Sequence, residues 1–166
     1  MKRRSIEIKW ALLYALLVLL WQLLEKSLGF HSDKIQHEPA FGALIMIPTI
    51  ILFVMALKEK KRAYYRREMS YKQGFLSGLY LSLLIAFLSI FTTLIIQTLI
   101  SPDYFSNMQA FMISTGAMSK SRAEVTFSLG YYLIQGTIAA AITGILISTI
   151  AVFFIRTKQV SPALAQ

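Results

Sequence analysis

Apolar residues run almost unbroken through four stretches of this chain, about Trp10–Leu28, Ala40–Leu57, Gly74–Ile100 and Phe127–Ile155, and the polar residues are gathered between them. An α-helix rises about 1.5 Å per residue, so roughly 20 apolar residues cross the about 30 Å of hydrocarbon in a bilayer. The second stretch, at 18 residues, is the shortest; the third and fourth, at 27 and 29, are long enough to tilt or to project beyond the bilayer. A membrane β-barrel would instead show ten-residue segments of alternating polarity, and none occurs. The pattern predicts an all-α integral membrane protein, a four-transmembrane-helix bundle forming one domain over residues 1–158. The segment 159–166, Gln-Val-Ser-Pro-Ala-Leu-Ala-Gln, has no periodic pattern and reads as a disordered tail.

Punctuation between the runs refines this picture. Gly29 reads as the C-cap of the first span, which begins near Ser5. Pro48, at the middle of the second, predicts a kink because proline removes a backbone donor. Ser70-x-x-Gln73 is a capping box that opens the third span. Beyond that span, Ser101-Pro102-Asp103 combines an N-cap hydroxyl, a proline at the first helical position and an acid in the first turn. Tyr104, Phe105, Met108, Phe111 and Met112 then recur at helical spacing until Gly116. They predict an amphipathic helix of about twelve residues, too short to span, in the outer loop between the third and fourth spans. Ser121-x-x-Glu124 reads as a second capping box, opening the fourth span.

Composition agrees with the membrane reading: 56% of residues are hydrophobic and 15% charged, and the mean hydropathy of +0.59 exceeds that expected of a soluble domain. The net charge of +9 could suggest nucleic acid, but its placement argues for topology. With the N-terminus inside, thirteen of the seventeen Lys and Arg residues lie on the inner side, seven of them between Lys58 and Lys72. The four on the outer side are Lys26, Lys34, Lys120 and Arg122, and five of the eight acids lie there too. This bias predicts a multi-pass protein with both termini in the cytoplasm. Lys58, Lys60, Lys61, Arg62, Arg66 and Arg67 are then expected to meet lipid headgroups, with membrane lipids rather than nucleic acid as the partner. The basic start followed by an apolar run resembles a signal peptide, but Trp21-Gln22-Leu23-Leu24-Glu25-Lys26 offers no small-residue cleavage site, so an uncleaved first span is expected. The absence of cysteine removes disulfides, thiolate metal ligands and cysteine nucleophiles.

Two stripes of small residues carry the packing signal. Gly74, Gly78, Ser82 and Ala86 recur every four residues in the third span, and Gly136, Ala140, Gly144 and Ser148 do so in the fourth. Small side chains at that spacing let two helices approach closely, with Gly74–Gly78 expected opposite Gly144–Ser148; the same stripe could instead build a homo-oligomer. Polar groups within the spans are few. Glu25, Gln97 and Gln135 all fall towards the outer side, where they are either interfacial and interhelical bonding groups or the lining of a polar pathway. His31, Asp33, His37 and Glu38 cluster in the first outer loop; these residue types ligate zinc, but their spacing fits no specific motif, so a solvated loop is favoured over a metal site. No nucleophile with its base, glycine-rich phosphate loop or catalytic carboxylate pair is legible, and no cofactor is expected.

Several short motifs, in order, carry a family resemblance: Ile6-Glu7-Ile8-Lys9-Trp10-Ala11, Trp21-x-x-Leu24-Glu25-Lys26, Ser70-Tyr71-Lys72-Gln73-Gly74-Phe75, Pro102-Asp103-Tyr104-Phe105, Gly116-x-Met118, Ala123-Glu124 and Phe154-Ile155-Arg156. Over about Ile6 to Lys158 the chain resembles the "domain of unknown function 4199" family. That resemblance implies about four spans and, from the family's occurrence chiefly in Bacteroidota, a bacterial inner-membrane location; it brings no activity, ligand or catalytic residue. The function expected is that of a non-enzymatic membrane subunit, scaffold or homo-oligomer with lipid and protein partners. The alternatives are a small-solute or ion transporter with an outward vestibule and, more weakly, a lipid-active enzyme using the His31–Glu38 cluster.

Overall fold

The computed structural model describes residues 4–157 and is helical throughout, with no strand among the described residues. The expected tail at 159–166 lies outside the described residues. Four helical spans, Ser5–Ser27, Ile35–Ala63, Tyr71–Ile100 and Leu129–Ile155, are long and apolar enough to cross a membrane, and the protein is a four-span membrane bundle with a helical cap. Only 17–33% of each span is buried inside the protein, so most of its apolar surface faces outward. On the last span Ile134, Ile138, Ile142, Leu146, Ile150 and Phe154 are all exposed, one turn apart. In water such a face would be a liability, whereas in hydrocarbon it is the natural surface.

Helix α1 is Ser5–Ser27. Its end follows expectation: Gly29 takes φ +85°, the left-handed conformation that glycine adopts without penalty. The second span is a continuous helical run in which 3₁₀ turns interrupt the α-helical bonding. A 3₁₀ turn (Ile35–His37), the short helix α2 (Glu38–Gly42) and another 3₁₀ turn (Ala43–Ile45) lead into α3 (Met46–Ala63). Pro48 falls in the first turn of α3, and the 3₁₀ turn before it holds Leu44, the residue whose carbonyl an N–H at position 48 would bond in an α-helix. Helix α4 (Tyr71–Ile95) begins at the predicted capping box: Ser70 Oγ accepts from the Gln73 amide at 3.3 Å, and Gln73 Oε1 accepts from the Ser70 amide at 2.9 Å. The third span ends in a π-turn, Ile96–Ile100, closed by Ser101 N–H donating to the Ile96 carbonyl at 2.7 Å.

The other predicted starts are corrected. The amphipathic helix α5 is Tyr104–Ser114, and the Ser101 side chain does not cap it, being engaged with His31 instead. Ser121 does not open the fourth span; it lies inside a separate short helix, α6 (Lys120–Thr126). The fourth span, α7 (Leu129–Ile155), is capped by Ser128, whose hydroxyl accepts from the Tyr131 amide. A bend at Phe127–Ser128 is what separates the two helices.

Helices α4 and α7 make the most extensive pairing in the bundle. The small-residue stripes meet one turn at a time: Gly74 against Val152, Gly78 against Ser148, Gly144 against Ser82. A methyl placed on Gly78 would lie 2.4 Å from Ser148 Cβ, and one on Gly144 2.6 Å from Ser82 Oγ and 3.0 Å from the Phe53 ring. Ser89 and Thr137 continue the register with hydroxyls 3.3 Å apart. Ala86 is buried and Ala140 packs on the central core, but a methyl on Gly136 would meet open space, so the contact ends before that residue. The middle of the bundle is apolar, built on Ala11, Leu52, Phe53, Ala56, Leu81 and Ile85.

At the other end from the basic loop, α5 and α6 fold over the bundle mouth. Tyr104 and Met108 of α5 pack with Ile35, Ala123 and Phe127, flanked by Phe105, Phe111, Met112, Met118 and Tyr132. Met108 is 2% exposed, so its truncation to Ala leaves a cavity under the cap. We expect that change to cost about 2–5 kcal/mol of cap stability, read as accelerated proteolysis between residues 101 and 128 with the four spans intact.

Candidate functional site

Buried polar groups collect at the two ends of the bundle. At the basic end, Glu7 of α1 receives Lys60 of α3 on both oxygens, at 2.8 and 2.9 Å, and Ser77 of α4 donates to its Oε1 at 2.6 Å. All three residues are buried, and the Lys60 ammonium also rests 4.4 Å from the Tyr64 ring centroid. One ion pair thus joins three spans. A second, more exposed pair lies beside it: Lys9 meets Glu59 at 2.5 Å, and Trp10 Nε1 donates to the same carboxylate at 2.8 Å.

The expected headgroup residues divide accordingly. Lys58, Arg62, Arg66 and Arg67 are exposed. Lys61 is half-buried and donates to the Ile155 carbonyl at 2.7 Å, tying the loop to the end of α7. Lys60 departs from expectation: it is 3% exposed and spent on Glu7, because a cation at that helix position points between α1 and α4. Arg66 and Arg67 adopt φ +49° and +74°, an uncommon conformation for side-chain-bearing residues, and the turn they form is held by Thr157, which accepts from the Met69 amide and donates to the Arg67 carbonyl.

The capped end holds the denser constellation. Glu25 is completely buried and accepts from two nitrogens, Trp21 Nε1 at 2.8 Å and Gln22 Nε2 at 2.5 Å, while His31 Nε2 lies 3.4 Å from its Oε2. Positions 21, 22 and 25 are three and four residues apart, which places them on one helix face. His31 Nδ1 lies 2.6 Å from Ser101 Oγ, and Asn107 of α5 donates to the His31 carbonyl at 2.9 Å. Lys26 donates to the Ile100 carbonyl. Glu38 faces the same region: an added Cβ on Gly42 would lie 3.1 Å from a Glu25 oxygen and 3.3 Å from a Glu38 oxygen, so both carboxylates close on that glycine. Tyr104 lies beside His31 and Tyr132, its ring centroid 5.1 Å from that of His31 and 6.3 Å from that of Tyr132. Burial pushes the Tyr104 phenol far above its ordinary range, and Tyr132, Glu38 and Glu25 push the same way, so it stays a neutral donor.

Of the loop cluster, His31 and Glu38 turn towards Glu25 while Asp33 and His37 are exposed. The four therefore do not converge, and among the described residues no three His, Asp or Glu side chains are placed to hold a metal ion. Gln97 lies in the π-turn, half-buried, with its carbonyl oxygen buried and unpartnered, whereas Gln135 is exposed on α7. Glu25, Gln97 and Gln135 are thus not gathered into one polar lining.

The sequence model of the family described as "Protein of unknown function (DUF4199)" matches residues 9–157. The chain belongs to the DUF4199 family. No curated protein and no solved structure matches it. The DUF4199 match contains the whole Glu25–His31–Ser101 constellation but begins after Glu7, so the capped end lies entirely within the family segment.

Sequence reasoning missed Glu7, Ser77, Ser101, Tyr104 and Asn107 as members of polar clusters. The spacing of Trp21, Gln22 and Glu25 was a usable signal for part of one. Nothing in the primary structure links Ser101 to His31, 70 residues away.

Proposed function

We propose that this DUF4199 protein is a multi-pass protein of the bacterial inner membrane, with both termini in the cytoplasm, that acts as a membrane subunit or scaffold and not as a conduit. One observation carries the reading. The fully buried charged groups lie in clusters at the two ends, Glu7–Lys60–Ser77 and Trp21–Gln22–Glu25–His31, and apolar core lies between them. A transported ion would need polar partners along its route, and Phe53, Leu81 and Ile85 supply none. The inward bias of Lys and Arg supports the orientation. The exposed Lys58, Arg62, Arg66 and Arg67 would meet anionic headgroups, and the face of α7 would meet lipid or a partner span.

The chain has no cysteine, so introduced ones are clean reporters. Ser32→Cys should react with a membrane-impermeant maleimide in spheroplasts, and Arg66→Cys only after lysis; the reverse pattern would overturn the orientation. Purified in mild detergent, the protein should run as a fixed oligomer or hold a stoichiometric partner by native mass spectrometry. A lone monomer, with ion flux in proteoliposomes, would favour transport instead. The Ser101–His31–Glu25 arrangement favours a second reading, that the capped end performs chemistry.

A further inference from the structure

The geometry points to an acyl-transfer site at the capped end, with Ser101 as nucleophile, His31 as its general base and Glu25 as the group that positions His31. This rests on the second reading above and is independent of whether the chain is a subunit. Three side chains from α1, the loop after it and the end of the third span form one line: Ser101 Oγ to His31 Nδ1 at 2.6 Å, then His31 Nε2 to Glu25 Oε2 at 3.4 Å. A nucleophile, a base within reach of its proton and a third group orienting the base are what such catalysis requires, whatever the fold.

The proposed chemistry uses one tautomer of His31. Trp21 and Gln22 donate to the two oxygens of Glu25, so the Glu25 carboxylate acts as acceptor. An Nε2–H turned to Glu25 leaves the Nδ1 lone pair for the Ser101 hydroxyl, and the proposal assigns His31 that tautomer. Ser101 therefore donates to the one histidine nitrogen able to take its proton.

A cavity of about 160 Å³ adjoins this line, bordered by Lys26, His31, Ser101, Asp103, Tyr104 and Asn107. It has room for about five water-sized volumes, enough for a short acyl group. Lys26 and Asn107 each use one hydrogen on a backbone carbonyl, of Ile100 and His31 respectively. An ammonium and an amide have further N–H bonds to offer a developing negative charge, and both residues line this cavity. Ser101 follows directly on the π-turn, a backbone feature frequent at functional sites.

The substrate class that fits is a carboxylic ester with a small acyl group. Ser101 Oγ would attack the carbonyl carbon as His31 Nδ1 takes the hydroxyl proton. The carbon–oxygen bond to the leaving alcohol would then break, with His31 returning the proton to that alcohol. Water would discharge the acyl-serine by the same exchange, releasing the acid and restoring Ser101.

The full chain in nanodiscs would be treated with a fluorophosphonate probe and, separately, with 4-nitrophenyl acetate. We expect one label, located on Ser101 by peptide mass, and ester hydrolysis that falls at least about 100-fold in both Ser101→Ala and His31→Gln. In Glu25→Gln, kcat should fall while KM holds, whereas a purely structural role would instead lower the melting temperature and leave no activity to split. The wild type is decisive even if a variant misfolds: folded protein that takes up no label, or takes it elsewhere than Ser101, overturns the proposal. Failure here leaves the topology and partner experiments untouched, and their failure leaves this one standing.

Discussion

Glu7→Gln should lower stability by about 3–5 kcal/mol, among the largest effects of any single substitution in the protein. Lys60 is buried and its ammonium has both Glu7 oxygens as partners, so the neutral amide leaves a cation in a low-dielectric setting. Removing one partner of a buried pair costs far more than the pair contributes in net terms, because the desolvation of the survivor is no longer offset. Lys60→Met should cost a comparable amount by stranding the carboxylate with only Ser77. The double variant Glu7→Leu with Lys60→Met should then recover most of the loss. Thermal unfolding in detergent, followed by tryptophan fluorescence, reads all three. Equal melting of Glu7→Gln and the parent would show the pair to be solvated and the assignment of Lys60 to the interior to be wrong.

Gly144→Leu should be destabilising by at least about 3 kcal/mol, and Gly136→Leu by less than about 0.5 kcal/mol, although both glycines belong to one stripe. A first carbon on Gly144 already falls within 3.0 Å of Ser82 and Phe53, and neither neighbour can retreat from a core between α3, α4 and α7. The three further carbons of leucine would separate α4 from α7. Gly136 has open space at its Cβ position, so the same substitution adds only lipid-facing surface. Gly78→Leu should behave like Gly144→Leu, since its Cβ would overlap Ser148. If Gly136→Leu instead changed the oligomer size while melting stayed the same, the outer end of the stripe would be a contact between copies of the chain.

Much of this was readable from residue pattern. Four spans follow from the length and continuity of apolar runs, because hydrocarbon offers backbone groups no partner and only helices or closed barrels pair all of them internally. The Ser70–Gln73 box and the Gly29 terminus were legible because capping is local: donor, acceptor and conformation lie within four residues. Ser121–Glu124 had the same spelling and failed, since the chain bends at Phe127–Ser128 before the fourth span begins and the residues that enforce the bend come from the cap. Pro48 announced a kink, but not that 3₁₀ turns on either side of α2 would bring Glu38 and Gly42 against Glu25.

Residue order alone determined the four-span architecture and the capped basic turn, because each depends on neighbours within one or two helical turns or on a solvent that acts on every span alike. Which charges face inward was decided only by the packed bundle. Lys60 looks like its neighbours in the basic loop and Ser101 looks like a helix cap; Glu7, Ser77 and His31, arriving from other spans and another loop, give them different partners. Such pairings join residues 53 to 70 positions apart, and a distance of that kind closes only when apolar packing has already set the helices side by side.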